Sequence, residues 1–201
     1  MKKQTLPFGI KFFIFTVIIV ATVSYGLYEK GKYDVLKRVS SEPILKSMPD
    51  FQVSLLDQDA MLEGKQWLAE SPRGGFIHFW GTWCAPCEAE FPAFLKFAKK
   101  FEQQNVRFLL IAVNDQRKDV LKFLKRFPDI SSNVTIVIDE NNSAMPNFGT
   151  VKVPETYLFA PNGKNLNKFV GPQEWQLDSY VTRSQALLSN APVNTIDVET
   201  H

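Results

Sequence analysis

Phe79-Trp80-Gly81-Thr82-Trp83-Cys84-Ala85-Pro86-Cys87 is the stretch on which the reading of this chain turns. It holds the only two cysteines, two residues apart, after the apolar run Phe76–Trp80 and before a segment with helical periodicity. Two thiols at this spacing at a helix start can close a disulfide with little backbone movement. The unpaired N–H groups and the dipole at such an end favour a thiolate over a thiol. Cys84 is therefore the expected nucleophile and Cys87 its resolver. A structural zinc site would want four ligands, yet the chain adds only His78 and His201. No metal is expected. A purely structural disulfide is a poor account, because so short a loop removes little unfolded-state entropy. Redox exchange remains, with no cofactor beyond the Cys84–Cys87 pair.

Outward from the cysteines, Phe91, Phe94, Leu95, Ala98 and Phe101 recur at helical spacing. Pro92 inside that helix removes one N–H and should bend it. Val106–Val113 is a continuous apolar run of the kind buried on both sheet faces, and Val120, Leu121, Leu124 and Phe127 mark another helix. Val134–Ile138 reads as a strand. Thr156–Phe159 and Asn165–Val170 flank Pro161-Asn162-Gly163, a hairpin signature. A closing helix is expected from Gln173 to about Leu188. Before the cysteines, Phe51–Leu55 alternates as a strand and Gly64–Glu70 suits a short helix. The sum is an α/β domain, a central mixed sheet with helices on both faces.

The 201 residues, with a net charge of +2 and basic residues scattered, suit one domain and no nucleic-acid partner. Lys2 and Lys3 precede an apolar stretch from Phe8 to Tyr28, long enough to cross a bilayer, where about 20 residues suffice. Residues 1–28 are thus expected to be an uncleaved transmembrane anchor, 29–47 a polar stalk, 48–190 the folded domain and 191–201 a loose tail. The basic N-terminus of signal type places the domain outside the cytoplasm, in the periplasm or its equivalent, where disulfides persist.

The Cys-x-x-Cys stretch, then Glu90-Phe91-Pro92 and Val153-Pro154-Glu155-Thr156, closely resemble the membrane-anchored thioredoxin-like family of TlpA, ResA and CcmG. That resemblance implies a thioredoxin-like fold and an extracytoplasmic reductase of protein disulfides, several members serving cytochrome c maturation. It further implies partners of two kinds, substrate proteins with disulfides and a membrane thiol electron donor. Carried over, Cys84 attacks, Cys87 resolves, Trp83 flanks the pair as an aromatic residue, and Trp83 and Pro86, which lies between the cysteines, count among the substrate-binding residues. Val153, a cis Pro154 and Glu155 form the edge where substrate would lie. Glu90 matches an acidic residue near the active site of the family, although a carboxylate one turn into a helix can also be a surface group.

His78 departs from the family pattern by standing where thioredoxins carry a buried acid. A neutral imidazole there could accept the proton of Cys87, or simply fill a strand position. Arg117, Lys118, Lys122, Lys125 and Arg126 read as a solvated helix face. Neither Ala85 nor Pro86 adds a positive charge or a side-chain donor to stabilise a Cys84 thiolate, which favours a reductase over an oxidase. The competing reading from another class is a thioredoxin-fold binding or assembly factor that does not need its cysteines.

Overall fold

In the computed structural model, which describes residues 8–41, 45–58 and 60–191, the alternating segments of the sequence settle into a seven-stranded sheet. The chain divides into two units, one ending at Glu42 and one starting at Pro43.

The first unit is a single helix, α1 (Phe8–Ser41). It continues through Glu29–Ser41, so that part of the expected stalk is helical. The side chains described in α1, those of Ile10 and of residues 12–27, are exposed and mostly apolar. Among the described residues, no helix is long and apolar enough to cross a membrane.

The second unit runs β1 (Gln52–Leu55), β2 (Met61–Glu63), α2 (Gly64–Ala69), β3 (Gly75–Trp80), α3 (Ala85–Lys99), β4 (Arg107–Val113), α4 (Arg117–Leu124), β5 (Val134–Asp139), α5 (Ala144–Asn147), β6 (Glu155–Phe159), β7 (Asn165–Val170) and α6 (Asp178–Ser189). The sheet order is β2-β1-β5-β4-β3-β6-β7. Strands β3, β4 and β5 are parallel, joined by α3 and α4, and the outer pairings are antiparallel. The Pro161–Gly163 turn closes the expected hairpin, with Gly163 at φ 81° and its N–H donating to Ala160. Leu45–Met48 is tied to this hairpin through Met48 N–H to Gly163 O and Asn165 Nδ2 to Leu45 O, so the folded domain begins slightly before 48.

Strand side chains alternate between faces, and two cores result. Phe76, Trp80, Phe108, Leu110 and Leu158 point to one face and meet α3, α4 and α6. Ile77, Phe79, Leu109, Ile111, Tyr157 and Phe159 point to the other and meet α2 and α5. The first core is strongly aromatic: Phe91, Phe94, Phe97 and Phe101 form the buried stripe of α3 and its end, the last three against Phe76, Phe108 and Trp175 and Phe91 against Trp80 and Phe123. Each such ring contributes about 1.5–3 kcal/mol by leaving water. Pro92 lies on the exposed side of α3, where the carbonyl it leaves unpaired can meet solvent, and the helix continues to Lys99.

Two expectations change. Helix α6 starts at Asp178, not Gln173, after a segment in which Gln173 N–H and Trp175 Nε1 both donate to Glu90. Arg117 is not part of a solvated face. Its Nη1 donates to the carbonyls of Leu55 and Leu56 at 2.9 and 3.1 Å, and its Nη2 pairs with Glu140 at 3.0 Å, which fastens the β1–β2 connection to α4. Strand β2 and α5 carry too few residues to leave a period in the sequence.

Candidate active site

Cys84 caps α3 with an extended backbone (φ −95°, ψ 98°), and its Sγ accepts from the Cys87 N–H at 3.3 Å. The sulfur thus sits on the positive end of a 15-residue helix, where a thiolate is favoured. The two cysteines form a disulfide. Cys84 is 5% exposed and Cys87 fully buried, so an incoming thiol or disulfide meets Cys84 first.

The turn before the helix is held in place by polar contacts. Thr82 N–H and Oγ1 both donate to the Asp115 carboxylate, at 2.6 and 2.9 Å, and Cys84 N–H donates to Gly81 O. Trp83 is 58% exposed, yet its Nε1 donates to Val113 O at 3.0 Å. That fold-back needs glycine at 81, since a Cβ there would lie 2.6 Å from the indole nitrogen. Pro86 is exposed beside it.

From the sheet side, the cis Val153–Pro154 bond precedes β6, and Val153 O lies 3.8 Å from Cys84 Sγ. The segment before it is open, with Val151 86% exposed. The structure therefore brings Cys84, Trp83, Pro86 and Val153 to one accessible rim. Glu155 does not join them. As the neighbour of Thr156 on a strand it points to the opposite face, where it is buried, pairs with Lys168 at 2.9 Å and accepts from Tyr157 Oη at 3.0 Å. Tyr157 also reaches Phe148 O and Thr150 Oγ1. Glu155 is thus a support for the 148–155 loop, which corrects its expected place at the substrate edge. Burial works against charge on Lys168, but its contacts with Tyr157 and Glu155 outweigh this and keep the ammonium above its ordinary range.

Beneath Cys87 lies a second polar pair. Glu90 is one helical turn on from Cys87, on the same buried face. It is no surface carboxylate: burial pushes its pKa up to about 7, against the opposing pull of the Gln173 N–H (2.7 Å) and the Trp175 indole (3.1 Å) on Oε2. His78 is fully buried, stacked on Phe94 at 4.3 Å, with Nδ1 2.8 Å from Thr156 Oγ1 and Nε2 3.8 Å from Glu90 Oε1. Burial pushes its pKa down to about 3. The imidazole is therefore neutral near neutral pH, and its approach to Glu90 is not an ion pair. Sequence reasoning missed the Asp115, Gln173 and Trp175 contacts, which join residues 33 to 85 positions apart and leave no local signal.

Among the described residues, no group of three or more His, Cys, Asp or Glu could hold a metal ion.

Known proteins are similar to this chain in sequence and in fold. The thiol-disulfide oxidoreductase ResA of Bacillus thuringiensis is 27% identical over 184 residues, which cover 91% of this chain and 98% of that protein. ResA of Geobacillus thermodenitrificans is 29% identical over 153 residues, 75% and 80% of the two chains. Among solved structures, dsbF of MTB in its mixed oxidized and reduced forms matches with a TM-score of 0.57 at 25% identity, covering 68% of this chain and 94% of that one. The thiol:disulfide interchange protein of Chlorobium tepidum TLS, a thioredoxin family protein, matches with a TM-score of 0.56 at 21% identity, over 74% and 98%, which supports the fold. The AhpC/TSA family model matches residues 44–165, a span that contains both cysteines, His78, Glu90 and the cis proline and exceeds half of the 201 residues. With its thioredoxin-like sheet and this match, the chain belongs to the AhpC/TSA family.

Proposed function

We propose that this protein reduces disulfides of substrate proteins outside the cytoplasm while held to the membrane by its N-terminal helix. The chain is a thiol-disulfide oxidoreductase, as its relatives' names and its Cys84–Cys87 pair agree. The observation that carries the order of attack is the asymmetry of the pair, Cys84 at the helix end and at the rim and Cys87 buried one turn before Glu90. The reducing direction rests on Ala85 and Pro86, which add no charge or side-chain donor to stabilise a Cys84 thiolate further. In the reduced enzyme the Cys84 thiolate attacks a substrate disulfide. One substrate sulfur leaves with the bonding electron pair as a thiolate, and Cys84 becomes joined to the other. Cys87 gives its proton to the Glu90 carboxylate and attacks Cys84 Sγ, the second substrate sulfur leaves and takes up a proton, and the enzyme is left oxidised. An external dithiol, which we assign to a membrane thiol donor protein, restores the reduced pair.

The anchor reading is supported by the apolar run from Phe8 to Tyr28, its helical backbone and the exposed rings of Phe12, Phe13 and Phe15, a surface that water does not favour. Apocytochrome c is the substrate suggested by the resemblance to the ResA and CcmG group. Replacement of Cys87 by Ala should arrest the cycle at the mixed disulfide, so that partners are captured on Cys84 and released by reductant. If the Cys87→Ala chain captures no protein and Cys84→Ala cells behave as wild type, the enzyme reading gives way to that of a binding module.

A further inference from the structure

His78 Nε2 is a buried ring nitrogen without a hydrogen-bond partner, and it is aimed at a carboxylate oxygen 3.8 Å away. A buried polar atom left in this state is destabilising, a cost that is offset if the atom engages at another stage of the cycle. The other ring nitrogen is already held, 2.8 Å from the Thr156 hydroxyl, in the cross-strand pair His78↔Thr156 of β3 and β6. A hydroxyl both donates and accepts, so Thr156 can serve either neutral tautomer of the ring. We propose that Thr156, His78 and Glu90 form a buried polar relay in which His78, held by Thr156, is the positioning residue that adjusts the Glu90 carboxyl for proton exchange with Cys87. The inference rests on the assignment of Glu90 as the proton acceptor for Cys87.

Two arrangements of this relay balance. With Glu90 ionised, Nε2 carries the proton and faces Oε1, while the Thr156 hydroxyl donates to Nδ1. With Glu90 protonated by Cys87, the added proton rests on the carboxyl, the ring keeps its Nε2 proton and Thr156 its hydroxyl proton, and the attraction between Nε2–H and Oε1 weakens. At 3.8 Å the contact is longer than a hydrogen bond in the disulfide form; it closes when the opened cysteine pair delivers or withdraws the proton. The other groups facing Glu90 are the Gln173 N–H and the Trp175 indole, both donors to Oε2 from the segment before α6, and Cys87 on its own helix. Among the described residues no Lys or Arg pairs with Glu90, and the ring nitrogen lies 3.8 Å from Oε1, the oxygen that Gln173 and Trp175 do not hold.

The test follows the pH profile of the resolving step, with the reduced full-length chain in detergent mixed with oxidised glutathione between pH 5 and 9. Glu90→Gln identifies the inflection that belongs to Glu90 by abolishing it. His78→Phe keeps the ring volume and the stack on Phe94 but removes both nitrogens. It should displace that inflection upwards by a pH unit or more, a tenfold rise in the proton affinity of Glu90, because the carboxylate loses the Nε2–H aimed at it. An inflection that stays within 0.3 unit in His78→Phe, while Glu90→Gln removes it, overturns the relay and leaves the role of Glu90 intact. An inflection that survives Glu90→Gln overturns the Glu90 assignment and the relay with it. Should His78→Phe fail to fold, Thr156→Val is expected to move the inflection the same way by less, with Thr156→Ser restoring it; no displacement in Thr156→Val refutes the relay.

Discussion

Between pH 4.5 and 6.5 the stability of the oxidised protein should be nearly flat, because two buried groups beneath the disulfide titrate in opposite senses. Glu90 holds its proton to about pH 7 in the folded chain against an ordinary 4.5. In that window the unfolded chain has released the proton and the folded chain has not, so stability is lost as pH rises. His78 stays neutral down to about pH 3 against an ordinary 6.5. In the same window the unfolded ring takes up a proton that the folded ring refuses, so stability is lost as pH falls. Each group contributes a slope of about 1.4 kcal/mol per pH unit, with opposite signs. Glu90→Gln keeps an acceptor for Gln173 and Trp175 and leaves only the His78 slope. Its stability should climb by about 2–3 kcal/mol from pH 4.5 to 6.5 relative to wild type. His78→Phe should fall by a similar amount over the same range. The assay is urea unfolding of the full-length chain in detergent, followed by tryptophan fluorescence, with wild type and both variants at four pH values. Parallel curves for wild type and Glu90→Gln would refute the reasoning, since they would mean that Glu90 is ionised in the fold at pH 5.

Two further changes test the supports of the rim. Lys168→Met leaves the buried Glu155 carboxylate without its cation and should cost about 3 kcal/mol, read as a lower urea midpoint with unchanged disulfide exchange at early denaturant; an unaltered midpoint would show that Tyr157 alone satisfies Glu155. Gly81→Val places a branched side chain where a single Cβ already lies 2.6 Å from the Trp83 indole, so Trp83 should leave Val113 O, with a shifted emission maximum and at least a tenfold loss in Cys84 alkylation selectivity over a free thiol. An unchanged emission maximum and alkylation rate would show that the fold-back of Trp83 does not depend on Gly81.

The parts of this protein that were legible in its sequence are those written at short range. The strand-to-helix junction at Gly81–Cys87, the aromatic stripe of α3, the apolar β4 run and the Pro161-Asn162-Gly163 turn each follow from periods of two or 3.6 residues and from local turn chemistry, and the structure keeps all of them. The family motifs around Cys84 and Pro154 likewise lie in contiguous residues. What the tertiary structure alone decided depends on contacts across long sequence separations. Glu90 is a buried acid and not a surface carboxylate because Gln173 and Trp175, 83 and 85 residues later, close over it. Arg117 turns inward because carbonyls about 60 residues earlier are left free at the end of β1. Glu155 and Thr156 are adjacent in the chain yet serve opposite faces, one bracing the loop and the other meeting His78, because a pleated strand sends successive side chains apart and only the packed layers determine which face meets the cysteines.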